Sequence, residues 1–154
     1  QDWGKWFESS SVFKLSWNHV DGRRSELTVV ERVSLFPGTG SEKETGVGNI
    51  FNAPIQSGTG SDEFLDIFEG KILENTDRFK PDAVLISAGF DAHRRDPLAN
   101  VNLESEDYYT LTKSIVEIAN LHCDGRVLSF LEGGYDLLAL SEGTKAHLKG
   151  LNEN

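Results

Sequence analysis

The sequence predicts an α/β fold with a mostly parallel β-sheet, because strand-like apolar runs alternate with segments of helical periodicity from residue 83 onward. The run at residues 83–88 is apolar on both faces, as expected for a strand buried between layers of helices. A second such run lies at residues 126–131. The length of 154 residues fits one domain, or a large piece of one.

Hydrophobic periodicity, turn residues and helix caps define the individual elements. We predict a strand at residues 12–15, then a loop over 35–60 with a possible strand at 50–55. A helix follows from a cap at Ser61 or Asp62 to about Asn75, and then come the strand at 83–88 and a loop over 89–104. The next helix starts at the cap residue Ser105 and ends before Asp124, and the strand at 126–131 and a helix over about 137–149 complete the chain.

The amino-acid composition limits the classes of partner and the cellular compartments that we expect for this chain. The chain has 25 Asp and Glu residues against 15 Lys and Arg residues, a formal charge of -10. This charge argues against direct nucleic-acid binding but is compatible with a cationic substrate. The single cysteine, Cys123, excludes an internal disulfide and favours a reducing compartment, and no apolar run approaches the length of a membrane span. We therefore expect a cytoplasmic protein, or a nuclear one if the source is eukaryotic.

Both buried runs end in glycine and then present a reactive side chain, Asp91 after the first and Tyr135 after the second. If the two strands are parallel neighbours, both side chains emerge at the edge where open α/β sheets place their sites. Asp91 could ligate a metal, or it could cap or stabilise a loop. Tyr135 could donate a hydrogen bond to an oxyanion, or it could be a packed structural tyrosine. His93, two residues after Asp91, could contact substrate or hydrogen-bond within the loop, and we favour the role in the loop.

An ordered set of motifs resembles the zinc-dependent histone deacetylase superfamily, especially its bacterial histone-deacetylase-like amidohydrolases and acetylpolyamine deacetylases. The motifs are L-F-P-G-T-G at 35–40, E-T-G-x-G-N at 44–49, N-A-P-I at 52–55, S-A-G-F-D-A-H at 87–93, D-P-L-A at 96–99 and L-E-G-G-Y at 131–135. The resemblance covers residues 35–150. It implies a three-layer arginase/deacetylase-like fold and zinc-dependent hydrolysis of an acetyl-amide, in acetyl-lysine or an acetylated polyamine.

The resemblance also assigns roles to single residues. Asp91 matches one of two aspartates that bind zinc together with a histidine, and Tyr135 matches the tyrosine that hydrogen-bonds the carbonyl oxygen. Phe36 matches an aromatic wall of the acyl-lysine tunnel and Leu98 an apolar residue at its rim. Gly134, beside Tyr135, is expected to line the substrate site.

The chain departs from the family in two places. The family's other two ligands lie in a segment that ends H-H-G-N-G-T, and the chain is expected to start just after it. The absence of methionine agrees with an internal or C-terminal fragment, incomplete at its N-terminus and inactive alone. Residues 14–34 interrupt the match, as an insertion or, as we favour, translated non-coding sequence.

We thus predict one incomplete deacetylase domain over residues 1–150 and a tail at 151–154. The alternative is a non-catalytic α/β binding module or pseudoenzyme.

Overall fold

The computed structural model describes residues 12–16, 42, 43, 45, 46, 48 and 50–153, with the backbone alone for 12–16. The elements in chain order are β1 (Val12–Ser16), α1 (Ser61–Ile67), a π-helical segment (Phe68–Leu73), α2 (Glu74–Phe79), β2 (Ala83–Ala88), α3 (Ser105–Cys123), β3 (Val127–Leu131) and α4 (Leu137–Asn152). The α1, π-helical and α2 segments form one continuous helix, because the residues at their junctions keep right-handed helical backbone angles.

The three described strands form a parallel sheet in the order β1-β2-β3. Val12 pairs with Ala83 at one end of the β1–β2 ladder, and Ala88 pairs with Leu131 at the end of the β2–β3 ladder. The helix α3 connects β2 to β3, as a parallel crossover requires. The predicted α/β class and parallel sheet are therefore confirmed.

Helices α3 and α4 pack on the sheet face that carries Ile86 and Ser129. Ile86 lines a small cavity with Leu111 and Ile115 of α3, and Ser129 hydrogen-bonds His147 of α4. The helix over residues 61–79 contributes buried side chains to the same core. This core includes Phe64, Phe68, Ile72, Val84, Ile86, Phe90, Leu111 and Ile115.

On the opposite sheet face the residues of β2 are mostly buried, whereas those of β3 are exposed. Leu128 and Phe130, which alternate with Ser129 along β3, are 58% and 53% exposed. Among the described residues, β3 pairs only with β2, so its other edge offers unpaired backbone groups. The apolar side chains and the unpaired edge together form a surface of the kind that normally lies inside a protein.

The structure confirms most predicted elements. The bounds of β2 are those predicted, the strand at residues 12–15 is β1, and β3 and α4 differ from their predicted bounds by a few residues at one end. The possible strand at residues 50–55 is wrong, since this segment is irregular although several of its residues are buried. Its apolar character reflects packing, and Pro54 has no N–H to offer a sheet.

The predicted caps are also wrong. The residue that caps α1 is Gly60, and the helix it starts runs past Asn75 to Phe79. Helix α3 is capped by Glu104, whose side chain forms a capping box with Asp107. Residues 14–16 of the predicted insertion belong to β1, and residues 17–34 lie outside the described residues.

Candidate functional site

The candidate site lies where β2 and β3 end, because the loops after these strands leave the sheet together. Two backbone hydrogen bonds extend the ladder past the strands, from Glu132 N–H to Ala88 O and from Phe90 N–H to Gly133 O, both 2.9 Å. The loop that carries Asp91 is thereby held against the turn that carries Tyr135. The carboxyl edge of a parallel sheet is the expected position for such a site.

Asp91 lies in this edge with its carboxylate against Gly133. Its side chain is 5% exposed, and a Cβ atom on Gly133 would lie 3.0 Å from Asp91 Oδ2 and 3.2 Å from Oδ1. A glycine is therefore needed for the carboxylate to occupy its place. A carboxylate at the carboxyl edge of a parallel sheet is a donor of the kind that a metal cation takes.

The phenol of Tyr135 emerges from the adjacent turn. The turn needs Gly134, whose φ is +128° and whose Cβ would lie 3.0 Å from Phe90 Cβ. The Tyr135 backbone N–H donates to Asp96 Oδ2 at 2.7 Å, which ties the two loops together a second time. The Tyr135 side chain is 58% exposed, so it is open to a ligand rather than packed in the core.

Of the other two predicted site residues, the structure describes Leu98 but not Phe36. Leu98 lies on the loop after β2 and is 58% exposed, with its N–H donating to Asp96 Oδ1 at 2.9 Å. Phe36 lies outside the described residues. The structure thus brings Asp91, Leu98, Gly134 and Tyr135 to one edge of the sheet, while their functional roles stay a prediction.

His93 stabilises the loop, as predicted. Its Nδ1 accepts a hydrogen bond from the Arg95 backbone N–H at 3.1 Å, so the proton of the neutral ring is on Nε2, which donates to Ser105 Oγ at 3.1 Å. The Ser105 hydroxyl in turn donates to Glu142, which also pairs with the Arg95 guanidinium. Burial, followed by the nearby Arg95 charge, lowers the pKa of His93.

A second buried histidine lies behind the site. His147 Nδ1 is 2.6 Å from Thr112 Oγ1, and its Nε2 is 2.8 Å from Ser129 Oγ. The Thr112 hydroxyl donates to the Tyr108 carbonyl, so its oxygen accepts from His147 Nδ1–H. Burial lowers the pKa of His147. This histidine links α4 to α3 and β3 as a neutral ring.

The described residues offer a metal one donor of the expected kind, Asp91. They contain no group of three His, Cys, Asp or Glu side chains that could hold a metal ion. Zinc in proteins takes three or four such ligands. Asp91 therefore fits as one ligand of a larger set, and the part of the chain that the structure describes does not make a zinc site by itself.

Sequence reasoning missed the position of Asp96, whose contact with Tyr135 joins residues 39 apart in sequence. It also missed the network of Ser105 and Glu142 around His93. A local signal existed for Asp96, because an Asp followed by Pro is typical of a turn in which the carboxylate accepts a backbone N–H two residues on. No local signal pointed to the contact with Tyr135.

Comparison with known proteins identifies the family of the chain. A model of the histone deacetylase domain matches residues 29–151. The chain therefore belongs to the histone deacetylase family.

Two curated relatives illustrate the match. The chain is 42% identical over 148 residues to "Histone deacetylase 14, chloroplastic" of Arabidopsis thaliana, covering 94% of this chain and 32% of that protein. It is 32% identical over 143 residues to a "Probable deacetylase" of Archaeoglobus fulgidus, covering 85% of this chain and 40% of that protein. The chain thus spans less than half the length of either relative.

Solved structures agree on the fold. The HDA15 HD domain superimposes with a TM-score of 0.83 at 30% identity, over 95% of this chain and 45% of that chain. The histone deacetylase Clr3 superimposes with a TM-score of 0.82 at 24% identity, over 97% of this chain and 28% of that chain, and supports the fold alone. The predicted deacetylase-like fold and family are confirmed. No helix of the described residues is long and apolar enough to cross a membrane, and the compartment stays a prediction.

Proposed function

We propose that the chain forms the C-terminal part of a zinc-dependent deacetylase domain that hydrolyses an acetyl-amide, in acetyl-lysine or an acetylated polyamine. The observation that carries the proposal is the arrangement of Asp91 and Tyr135 on two loops joined to each other at the carboxyl ends of β2 and β3. Membership of the histone deacetylase family supports this chemistry. The acidic net charge of -10 favours cationic carriers of the acetyl group.

In this proposal Asp91 is one zinc ligand, and the others come from outside the described residues. Zinc held there would supply a Lewis acid for the amide carbonyl and for the attacking water. Tyr135 donates its phenol hydrogen to the carbonyl oxygen as negative charge develops on it. Overall, water adds to the carbonyl carbon, the C–N bond breaks, and acetate and a free amine leave.

The remaining predicted residues shape the path of the substrate. Leu98, exposed on the loop after β2, forms the rim, and Gly134 leaves room beside Tyr135 for the acyl group. Phe36 forms one wall of the acyl-lysine tunnel. These assignments rest on the motif match at each position.

We further propose that residues 1–150 form one incomplete deacetylase domain and that the isolated chain is inactive. Two observations support this. The chain covers 45% of the superimposed HDA15 chain, and the open edge and apolar face of β3 have the character of a surface buried in a complete domain. One carboxylate alone would also hold zinc weakly.

Acetate release from an acetyl-lysine peptide and from an acetylated polyamine tests the proposal. The full-length protein loaded with zinc should release acetate, and Tyr135→Phe should reduce kcat by about 100-fold, the size of effect seen when an oxyanion donor is removed. The matched control is Tyr109→Phe, which also removes a phenol hydroxyl but from a surface contact with Glu153.

An active Tyr135→Phe variant would overturn the role of Tyr135. A full-length protein that binds the peptide without cleaving it would favour the binding-module alternative. The isolated chain should show no turnover above its own Tyr135→Phe variant, and turnover there would contradict the fragment proposal.

A further inference from the structure

Tyr135 is positioned through its backbone rather than through packing of its ring. Its side chain is 58% exposed, so few neighbours fix the direction of the phenol. The preceding Gly134 has a φ of +128°, a conformation that does not by itself select one orientation of the turn. A residue that donates a hydrogen bond at an exact place therefore needs its main chain to be held.

The carboxylate of Asp96 holds that main chain. Asp96 Oδ2 accepts the Tyr135 N–H at 2.7 Å, and Asp96 Oδ1 accepts the Leu98 N–H at 2.9 Å. Both oxygens of one buried carboxylate are thus used on backbone donors of two different loops. Hydrogen bonds from N–H groups to an ionised acceptor are stronger than neutral ones, which suits a clamp between loops.

Asp96 is itself fixed by the loop. Its N–H donates to the His93 carbonyl at 2.8 Å, and the His93 ring is held by the Arg95 N–H and Ser105 Oγ. The hydroxyl of Ser105 is bonded to Glu142 of α4. The position of Tyr135 is thereby connected to the start of α3 and to α4.

We infer that Asp96 is a positioning residue for Tyr135, and that it also holds Leu98 so that the phenol and the rim of the substrate path keep one relative position. This inference rests on the proposed function for its consequence in catalysis. Its structural part, the anchored Tyr135 N–H, is independent of any activity.

Hydrogen exchange of backbone amides in the full-length protein, followed by NMR, tests the structural part. The Tyr135 amide should exchange about 100-fold more slowly than an unstructured amide although its side chain is exposed, and Asp96→Ala should remove most of this protection. Asp136→Asn is the matched control: it removes a neighbouring charge but keeps the cap of α4, since Asn caps as well as Asp. The Val84 amide, in the centre of β2, reports that the fold is intact.

An unprotected Tyr135 amide in the unsubstituted full-length protein, with the Val84 amide protected, would overturn the inference, and this measurement decides even if Asp96→Ala does not fold. Protection that persists in a folded Asp96→Ala variant would overturn it as well.

Kinetics of the full-length, zinc-loaded protein test the consequence. Asp96→Ala should lower kcat by about 10- to 100-fold with KM nearly unchanged, because a displaced group costs the transition state more than substrate binding. In a Tyr135→Phe background, Asp96→Ala should cost much less than in the unsubstituted protein, since the hydroxyl that Asp96 positions is already absent. A merely structural role would give additive losses.

The outcomes separate the inference from the proposed function. If Tyr135→Phe lowers activity and Asp96→Ala does not, the inference fails and the proposed function stands. If Tyr135→Phe is fully active while the Tyr135 amide loses protection in Asp96→Ala, the proposed function fails and the anchoring by Asp96 stands.

Discussion

The carboxylate of Asp91 rests directly on Gly133, because a Cβ atom at residue 133 would lie 3.0 Å from Oδ2 and 3.1 Å from Cγ. The side chain that follows β2 and the turn that follows β3 therefore fit together at a single backbone position. The position of the proposed zinc ligand therefore depends on the glycine in the turn after the neighbouring strand.

Gly133→Ala should weaken zinc binding by the full-length protein by about 10- to 100-fold, the effect typical of disturbing a ligand's support. The added methyl group forces the Asp91 carboxylate to move by a few tenths of an ångström. Competition with a zinc chelator measures the affinity. Gly70→Ala is the control, because a Cβ there meets nothing within 4 Å, and it should leave the affinity unchanged. Equal affinity in Gly133→Ala would show that Asp91 does not hold zinc.

Gly134→Ala should destabilise the fold by about 1–3 kcal/mol, the usual cost of a strained non-glycine backbone. Its φ of +128° disfavours any side chain, and the new methyl group would lie 3.0 Å from Phe90 Cβ and 3.1 Å from Leu140 Cδ1. Urea unfolding measures the loss. Gly58→Ala has a φ of +90° but open space around its Cβ, so the difference between the two variants isolates the steric part. Equal destabilisation would assign the cost to backbone strain alone.

The stability of the chain should fall as the pH drops from about 7 towards 5, because unfolded histidine titrates near 6.5. Burial lowers the pKa of His147 in the folded state, so below this pH the unfolded chain binds a proton that the folded chain does not. The stabilisation that neutral His147 contributes is fully present above the pKa of histidine in the unfolded chain. It is lost as the pH falls towards the lower pKa of His147 in the folded chain. Burial also lowers the pKa of His93, with the same sign.

Urea unfolding between pH 5 and 8 measures this slope, which is at most about 1.4 kcal/mol per pH unit for each histidine. His147→Gln should flatten it, whatever the variant's overall stability. Leu148→Gln, at a half-exposed position of α4 that does not titrate, is the control and should retain the slope near that of the unsubstituted chain. An unchanged slope in His147→Gln would contradict a neutral His147.

The isolated chain should self-associate through β3, because its outer edge is unpaired among the described residues and its apolar side chains are exposed. The double variant Leu128→Lys and Phe130→Lys should shift the chain towards a monomer, as measured by sedimentation velocity. Leu148→Lys on α4, where the leucine is 50% exposed, is the control for added charge. A monodisperse, cooperatively unfolding monomer of the unsubstituted chain would count against an incomplete domain.

The elements that sequence predicted best are those fixed by burial alone. The run at residues 83–88 is apolar throughout most of its length, and β2 has the predicted bounds. The caps failed because their hydroxyl groups serve distant partners. Ser61 donates to Asp107 and Ser105 donates to Glu142, so the backbone caps fall to Gly60 and Glu104 instead. Tertiary hydrogen bonds here compete with local capping, which sequence patterns describe.

The sequence predicted residues of the candidate site but not the hydrogen bonds that hold their loops in place. Two apolar runs that end in glycine predicted a site at Asp91 and Tyr135. The structure places the loops that carry these two residues at one edge of the sheet. The hydrogen bond between Asp96 and Tyr135 depends on how the loops fold over the sheet. No local pattern encodes such a contact, because its geometry comes from the register of β2 and β3.

Phe90 and Asp91 are adjacent in the chain yet belong to different parts of the molecule. The Phe90 ring lies in the core, 4.9 Å from the Tyr108 ring and against Gly143 of α4, while the next residue bears the proposed ligand. Repacking of the core at this point would therefore be transmitted to the ligand by a single peptide unit. Substitutions far from the surface, such as Gly143→Ala, are expected to impair activity while the protein remains folded, so loss of function would precede loss of structure.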